Sequence, residues 1–227
     1  MRIQWPIRGL YAITPEEPDT RRLLELAQAV LDQGAVLMQY RNKGTDAALR
    51  LEQALGLKLT CLPHGVPLIV NDDVALARAI QADGVHLGED DGDPRAARDE
   101  LGSDALVGVS CYASIERALA AKSRGADYLA FGAFFPSPTK PCAHPSAVTT
   151  PTTTRRSGFS TPADLSVLRQ ARRLGLPLVA IGGIGPDNVA TLRDAGADLI
   201  AVISGLWSAR DPGEAARTYV AAFGEPT

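Results

Sequence analysis

The chain is short of cysteine, of aromatic side chains, of excess charge and of long apolar runs, and each shortage narrows what it can be. Its three cysteines, Cys61, Cys111 and Cys142, form neither an even set nor a Cys-x-x-Cys pair. Neither a disulfide framework nor a cysteine zinc site is therefore indicated, and reduced thiols in a cytoplasmic protein are expected. With 23 basic and 26 acidic side chains the formal net charge is −3 and no basic stripe runs through the sequence, which argues against nucleic acid or a membrane surface as partner. No stretch reaches the roughly 18 consecutive apolar residues of a membrane span. Met1 to Tyr11 carries Arg2 and Arg8 around Ile3, Trp5, Pro6 and Ile7 but no apolar core with a cleavage site, so no secretion signal is read there.

What the 227 residues do contain is an ordinary globular balance, 45% hydrophobic and 22% charged, enough to build a core without staples. Short runs rich in Val, Ile and Leu recur, each followed by helical spacing, the pattern of strands buried on both faces. The expected strands are Gly9 to Thr14, Val36 to Arg41, Pro67 to Asp72, Gly84 to Gly88, Leu106 to Cys111, Tyr128 to Phe135, Pro177 to Gly182 and Leu199 to Ser204. The expected helices are Asp19 to Gln33, Thr45 to Leu59, Asp73 to Gln81, Asp93 to Leu101, Ser114 to Arg124, Ala163 to Leu174, Pro186 to Ala195 and Pro212 to Phe223. Thr45, Asp93 and Ser114 can cap, Pro94 and Pro186 suit a first helical turn, and Gly34, Gly125, Gly175 and Gly196 suit left-handed helix ends. Ala82-Asp83-Gly84, Ala126-Asp127-Tyr128 and Ala197-Asp198-Leu199 echo one another, as do Gly65-Val66-Pro67-Leu68 and Gly175-Leu176-Pro177-Leu178.

Eight strand-helix units suit a single-domain (β/α)₈ TIM barrel, whose usual size is about 250 residues. An open doubly wound sheet is the rival. Gly183-Ile184-Gly185-Pro186-Asp187-Asn188 lacks the last glycine of a dinucleotide fingerprint and occurs late, and no P-loop is present. The stretch from Pro141 to Thr161, rich in Pro, Ser and Thr, is expected to be a flexible loop after strand six.

In a barrel, chemistry gathers at the C-terminal strand ends. Strand two ends in Gln39-Tyr40-Arg41-Asn42-Lys43, strand three in Asn71-Asp72-Asp73 and strand four in Gly88-Glu89-Asp90-Asp91. Asp72 and Asp91, on neighbouring strands, can converge on a hard cation of Mg²⁺ type whose other ligands are substrate phosphate oxygens and water. The plainer alternative is that Asp73 starts a helix while Asp90, Asp91 and Asp93 form a solvated turn. Arg41 and Lys43 can hold the same anion, or simply be solvated. Strands seven and eight run into Gly182-Gly183 and Ile203-Ser204, where glycine loops and a short extra helix, Ser204 to Ser208, suit phosphate. Ser137, Thr139 and Lys140 sit on a proline-stiffened loop after strand six. His86 reads as a satisfied interior residue, His64 and His144 as loop residues, and Cys111 as a buried cysteine more than a nucleophile.

Taken in order, Leu10-Tyr11-Ala12-Ile13-Thr14, Gln39-Tyr40-Arg41-Asn42-Lys43, Val70-Asn71-Asp72, Gly84-Val85-His86-Leu87-Gly88, Ser137-Pro138-Thr139-Lys140 and Ala180-Ile181-Gly182-Gly183-Ile184 resemble the thiamine phosphate synthase family over roughly Gly9 to Trp207. The resemblance implies a Mg²⁺-dependent transferase that joins 4-amino-2-methyl-5-(diphosphooxymethyl)pyrimidine to a thiazole ethyl phosphate and releases pyrophosphate. It places Gln39, Tyr40, Arg41, Asn42, Lys43, Asn71, Ser110 and Lys140 at the pyrimidine diphosphate, with Arg41, Lys43, Ser110 and Lys140 as the catalytic set. It gives the metal to Asp72 and Asp91, and the thiazole phosphate to Ser137, Pro138, Thr139, Gly182, Gly183, Ile203 and Ser204. Glu89 stands where the family usually has Gln, Ser137 where it often has Thr, and the 141–161 stretch is longer than usual. The related thiazole tautomerase and a noncatalytic thiazole phosphate-binding regulator are the alternative readings. Homo-oligomerisation is left open.

Overall fold

The computed structural model describes residues 8–136 and 163–224. Eight parallel strands close into one barrel in chain order. They are β1 (Gly9–Ile13), β2 (Leu37–Tyr40), β3 (Leu68–Asn71), β4 (Gly84–Leu87), β5 (Leu106–Tyr112), β6 (Tyr128–Gly132), β7 (Leu178–Ile181) and β8 (Leu199–Val202). Helices α1 (Thr20–Leu31), α2 (Ala47–Cys61), α3 (Val74–Ala79), α4 (Pro94–Leu101), α5 (Ile115–Ser123), α6 (Ser166–Ala171) and α7 (Pro186–Ala195) follow β1 to β7. A one-turn helix α8 (Ser204–Trp207) and then α9 (Pro212–Phe223) follow β8. The open doubly wound alternative is thereby excluded.

Strand alternation divides the core in two. Outward residues such as Leu10, Met38, Val70, Val85 and Leu178 pack beneath the helices. Inward residues, including Tyr11, Leu37, Ile69, Leu106, Tyr128 and Leu199, fill the barrel itself. Gly108 faces that interior because the Tyr128 ring occupies its side-chain space: a Cβ there would lie 1.9 Å from Tyr128 Cζ.

The echoes in the sequence have a physical counterpart at the N-terminal end of the barrel. Asp83, Asp127 and Asp198 each accept a side-chain bond from an N–H at the start of the preceding strand, Leu68, Val107 and Leu178, at 2.8, 2.7 and 3.0 Å. Each aspartate N–H donates back to the carbonyl of the same residue, at 3.0, 2.8 and 2.8 Å. The Gly-x-Pro-Leu echo is a second shared device. Gly65 and Gly175, both left-handed, close 3₁₀ turns at Leu62–His64 and Arg172–Leu174 and hand the chain to β3 and β7.

Several boundaries differ from expectation. Asp46, not Thr45, caps α2, its carboxylate accepting from Leu49 N at 3.0 Å, whereas Asp93 and Ser114 cap as expected. Strand β6 stops at Gly132 rather than Phe135, because the Ala133 carbonyl accepts from Ala163 N and Phe135 N donates to Gly182 O. Helix α6 begins at Ser166 and tightens into a 3₁₀ turn before Gly175. The expected loop at 141–161 lies outside the described residues. No helix among the described residues is long and apolar enough to cross a membrane.

Candidate active site

The barrel mouth is built from strand ends whose polar side chains follow from strand parity. On β2, Gln39 points inward to Tyr11, its amide donating to the hydroxyl at 2.6 Å. Tyr40, one residue on, must point outward, and its hydroxyl donates to Gln53 on α2 at 2.9 Å. Asn42 also donates to Gln53, at 3.2 Å, and its carbonyl accepts from Gly44 N at 2.8 Å. Tyr40 and Asn42, expected at the substrate, are tied to Gln53 and brace the loop that carries Arg41 and Lys43.

Arg41 and Lys43 both face carboxylates. The Arg41 guanidinium pairs with Glu16 at 3.0 Å, and its backbone N–H donates to Thr14 Oγ1 at 2.9 Å, joining the ends of β1 and β2. The Lys43 ammonium pairs with Asp72 at 3.3 Å. Asp72 itself adopts a left-handed backbone, φ 62°, a conformation sparsely populated by residues other than glycine. It directly follows Asn71, which ends β3 on the inward register that also holds Ile69.

Asp91 reaches the same point from the loop after β4. One of its oxygens accepts from Gly88 N at 2.8 Å, and its carboxylate is near enough to Asp72 to act on that residue's carboxyl. Burial first, and then the Asp91 carboxylate, push the Asp72 carboxyl above the usual carboxylate range, with Lys43 pulling the other way. Two carboxylates held together are what a divalent cation would relieve. Among the described residues no group of three or more acidic, histidine or cysteine side chains is poised for a metal. Asp72 and Asp91 could each offer an oxygen to such a cation, with water or substrate completing its coordination.

The neighbouring acids are otherwise employed. Asp73 caps α3 and pairs with Arg50 at 2.5 Å, so the helix-start reading holds for it. Glu89 is turned to Arg117 at 2.7 Å, and the Arg117 guanidinium lies over the Tyr112 ring at 5.3 Å. Glu89, which stands where the family usually has Gln, is thus engaged by a cation of α5. Cys111 is buried, with its thiol pushed up to about 12 by burial, which removes it as a nucleophile at neutral pH.

Across the mouth, β7 and β8 end in Gly182-Gly183 and Ile203-Ser204. Gly182 and Gly183 have φ of +97° and +66°, and Cβ atoms there would lie 2.4 Å from Ala133 Cβ and from the Phe135 carbonyl. Glycine is required because the segment after β6 runs directly against this turn. The short helix α8 starts at Ser204 as the sequence suggested, and Trp207 anchors it by donating to Ile13 O at 2.5 Å. Ser137, Pro138, Thr139 and Lys140 lie outside the described residues.

Beneath the mouth is a feature the motifs did not reveal. Tyr11 and Tyr128 hydroxyls meet at 2.9 Å, Tyr128 meets His86 Nδ1 at 3.1 Å, and His86 Nε2 meets Ser110 Oγ at 2.9 Å. With Gln39 this makes a continuous chain through the barrel. His86 is, as expected, a satisfied interior residue. The one signal that could have exposed its setting is Gly108, whose missing side chain makes room for Tyr128.

A family model described as thiamine monophosphate synthase matches residues 10–206. Thiamine-phosphate synthase of Xanthomonas campestris is 54% identical over 216 residues, covering 95% of this chain and 96% of that one. That of Azoarcus sp. is 51% identical over 218 residues, covering 96% and 98%. Among solved structures, thiamine phosphate pyrophosphorylase from Pyrococcus furiosus superposes with a TM-score of 0.76 at 30% identity, covering 95% of each chain. A 3-hexulose-6-phosphate synthase shares the fold alone, with a TM-score of 0.65 at 18% identity.

Proposed function

This chain belongs to the thiamine monophosphate synthase family, enzymes of the transferase class in thiamine biosynthesis, and from that premise we propose that it couples two small phosphorylated substrates with Mg²⁺. One is 4-amino-2-methyl-5-(diphosphooxymethyl)pyrimidine and the other a thiazole ethyl phosphate. The products are thiamine phosphate and pyrophosphate, formed in the cytoplasm. The observation that carries this reading is the meeting of Lys43, Asp72 and Asp91 at one point of the barrel mouth, with Arg41 on the adjoining loop. Neither a tautomerase nor a phosphate-binding regulator needs paired carboxylates beside two cations.

The bond broken is the pyrimidine methylene C–O bond. Its electron pair leaves with the pyrophosphate, and the 4-amino group spreads the positive charge that remains. The thiazole nitrogen then supplies the electron pair of the new C–N bond. Arg41 and Lys43 would exchange Glu16 and Asp72 for diphosphate oxygens, holding the leaving group as its charge develops. Each unit charge pair at 4 Å is of order 4 kcal/mol at an effective dielectric near 20, before desolvation is subtracted. Asp72 and Asp91 would hold the Mg²⁺, which when bound would supply further charge neutralisation on the same leaving group. Asn71, Gln39 and Ser110 would orient the pyrimidine diphosphate, joined by Lys140. The thiazole phosphate would lie against Gly182, Gly183, Ile203 and Ser204, with Ser137, Pro138 and Thr139 as the further contacts that the family resemblance implies. No protein nucleophile is needed.

The test is to incubate the purified protein with both substrates, with and without Mg²⁺, and measure thiamine phosphate and pyrophosphate. Equimolar, Mg²⁺-dependent formation of the two is expected. Failure to couple with Mg²⁺ present would overturn the reading.

A further inference from the structure

The buried chain linking Gln39, Tyr11, Tyr128, His86 and Ser110 crosses the barrel interior, yet the coupling reaction uses only its two ends. Tyr11 and Tyr128 are fully buried, their rings meeting edge to face with centroids 6.1 Å apart. Tyr128 stacks on His86 at 5.6 Å in the space that Gly108 vacates. We propose that the chain is a one-way hydrogen-bond wire, in which Tyr11, Tyr128 and His86 are positioning residues that turn the Ser110 hydroxyl hydrogen out toward the barrel mouth. This rests on the reading that Ser110 faces the diphosphate substrate.

The direction follows from donor and acceptor chemistry. The Gln39 amide nitrogen can only donate, so the Tyr11 oxygen accepts. The Tyr11 hydrogen then has the Tyr128 oxygen to serve. At the next contact a phenol meets an imidazole, and a basic ring nitrogen accepts far better than a phenol oxygen. Tyr128 therefore donates to Nδ1. A neutral imidazole carries one N–H, and a bond accepted at one nitrogen puts that hydrogen on the other. His86 Nε2 then donates to Ser110 Oγ. Burial keeps the imidazole neutral, lowering its pKa to about 4, with Asp91 opposing weakly.

The consequence lies at the last link. With its oxygen engaged from below, Ser110 offers a hydrogen to whatever binds above it. In the reverse direction Ser110 would donate down to His86 and present lone pairs to an anion, which would repel it. The wire thus sets Ser110 as a donor before the anionic substrate arrives, a preorganisation that costs no rearrangement at the moment of reaction.

The experiment uses the intact protein with ¹⁵N-labelled histidine. Its three histidines are assigned by substitution, and the ring tautomer of His86 is read by NMR at pH 7. A bare Nδ1 and a protonated Nε2 are expected, changing to a tautomer mixture in Tyr128→Phe. A protonated Nδ1 in the unsubstituted protein overturns the proposal. Coupling kinetics give an independent arm. Tyr128→Phe should lower kcat/KM about five- to tenfold, the scale of one neutral hydrogen bond. It should lower it no further in a Ser110→Ala background, because both changes remove the same donor. Losses that multiply in the double variant overturn the proposal. His86→Gln, whose amide N–H can stand in for Nε2–H, should retain more activity than His86→Leu when both melt alike, and equal losses count against it. If no form of the protein couples the two substrates, the functional reading fails while the tautomer still decides the wire.

Discussion

The two ends of the barrel use aspartate in opposite ways. At the N-terminal end Asp83, Asp127 and Asp198 each close a two-bond clasp on the neighbouring strand. Cations attend two of them: Arg98 pairs with Asp127, and Arg8 and Arg172 each approach Asp198 at 3.7 Å. At the C-terminal end Asp72 takes a left-handed backbone and faces Asp91, and its carboxyl is pushed upward by burial and by that neighbour. An acid that satisfies an N–H at the start of a strand stabilises the fold. An acid aimed at another acid costs stability and gains from a cation. The position of an aspartate along the strand decides which it does.

Exchanging the damage between the ends tests this contrast most severely. Asp72→Asn should lower Mg²⁺-dependent coupling by about a hundred- to a thousandfold, the scale of losing a transition-state charge stabiliser. Its urea midpoint should stay unchanged or rise, since a like-charge contact is relieved. Asp127→Ala should do the reverse. It removes a charged acceptor from Val107 N, costing about 2 kcal/mol of unfolding free energy, while the folded fraction couples normally. Steady-state kinetics and urea unfolding on both variants provide the check. Matching profiles in the two variants would erase the distinction between the ends.

Much of this contrast could be read from the sequence, and the remainder depended on geometry. The apolar runs announced eight strands because strands buried on both faces need little else. The Ala-Asp echo was visible at 82–84, 126–128 and 197–199, although its meaning as a clasp required the strand register. At the mouth, residue type was legible and side-chain direction was not. Gln39 and Tyr40 are adjacent, so only one of them can face the barrel interior. The contact between Tyr11 and Tyr128 spans 117 positions and exists only because the closed barrel brings β1 and β6 together across its axis. The sequence showed Glu89 beside Asp91 but not the direction of its side chain, which Arg117 on α5 holds.

Between the two ends lies His86, which gives the contrast a pH dependence. Its folded pKa is lowered by burial to about 4 from the ordinary histidine value of 6.5. The unfolded chain therefore takes up a proton that the folded one refuses as pH falls through that window. Stability from this group is complete above pH 6.5 and is lost progressively toward pH 4, by on the order of 3 kcal/mol. Urea unfolding at pH 7 and pH 4.5, compared between the unsubstituted protein and His86→Gln, isolates the histidine from the general effect of acid on carboxylates. The unsubstituted protein should lose more stability than the variant. Equal losses would mean that His86 is not held neutral and that the middle of the barrel belongs with its solvated mouth.

The smallest expected effect sharpens the boundary of the metal site. Glu89 is more than half exposed and pairs with Arg117, and an exposed ion pair of this kind contributes about 0 to 1 kcal/mol. Glu89→Gln should therefore leave both the urea midpoint and the Mg²⁺ concentration for half-maximal coupling nearly unchanged. Asp91→Asn, two residues away, should raise that Mg²⁺ requirement sharply. The difference between neighbours on one loop is informative because charge alone cannot produce it: each substitution removes one carboxylate from the same segment. Only the direction each side chain takes, Asp91 back over Gly88 toward Asp72 and Glu89 outward to Arg117, separates them. An equal rise in both variants would make the loop a diffuse acidic field rather than a site with a defined second ligand.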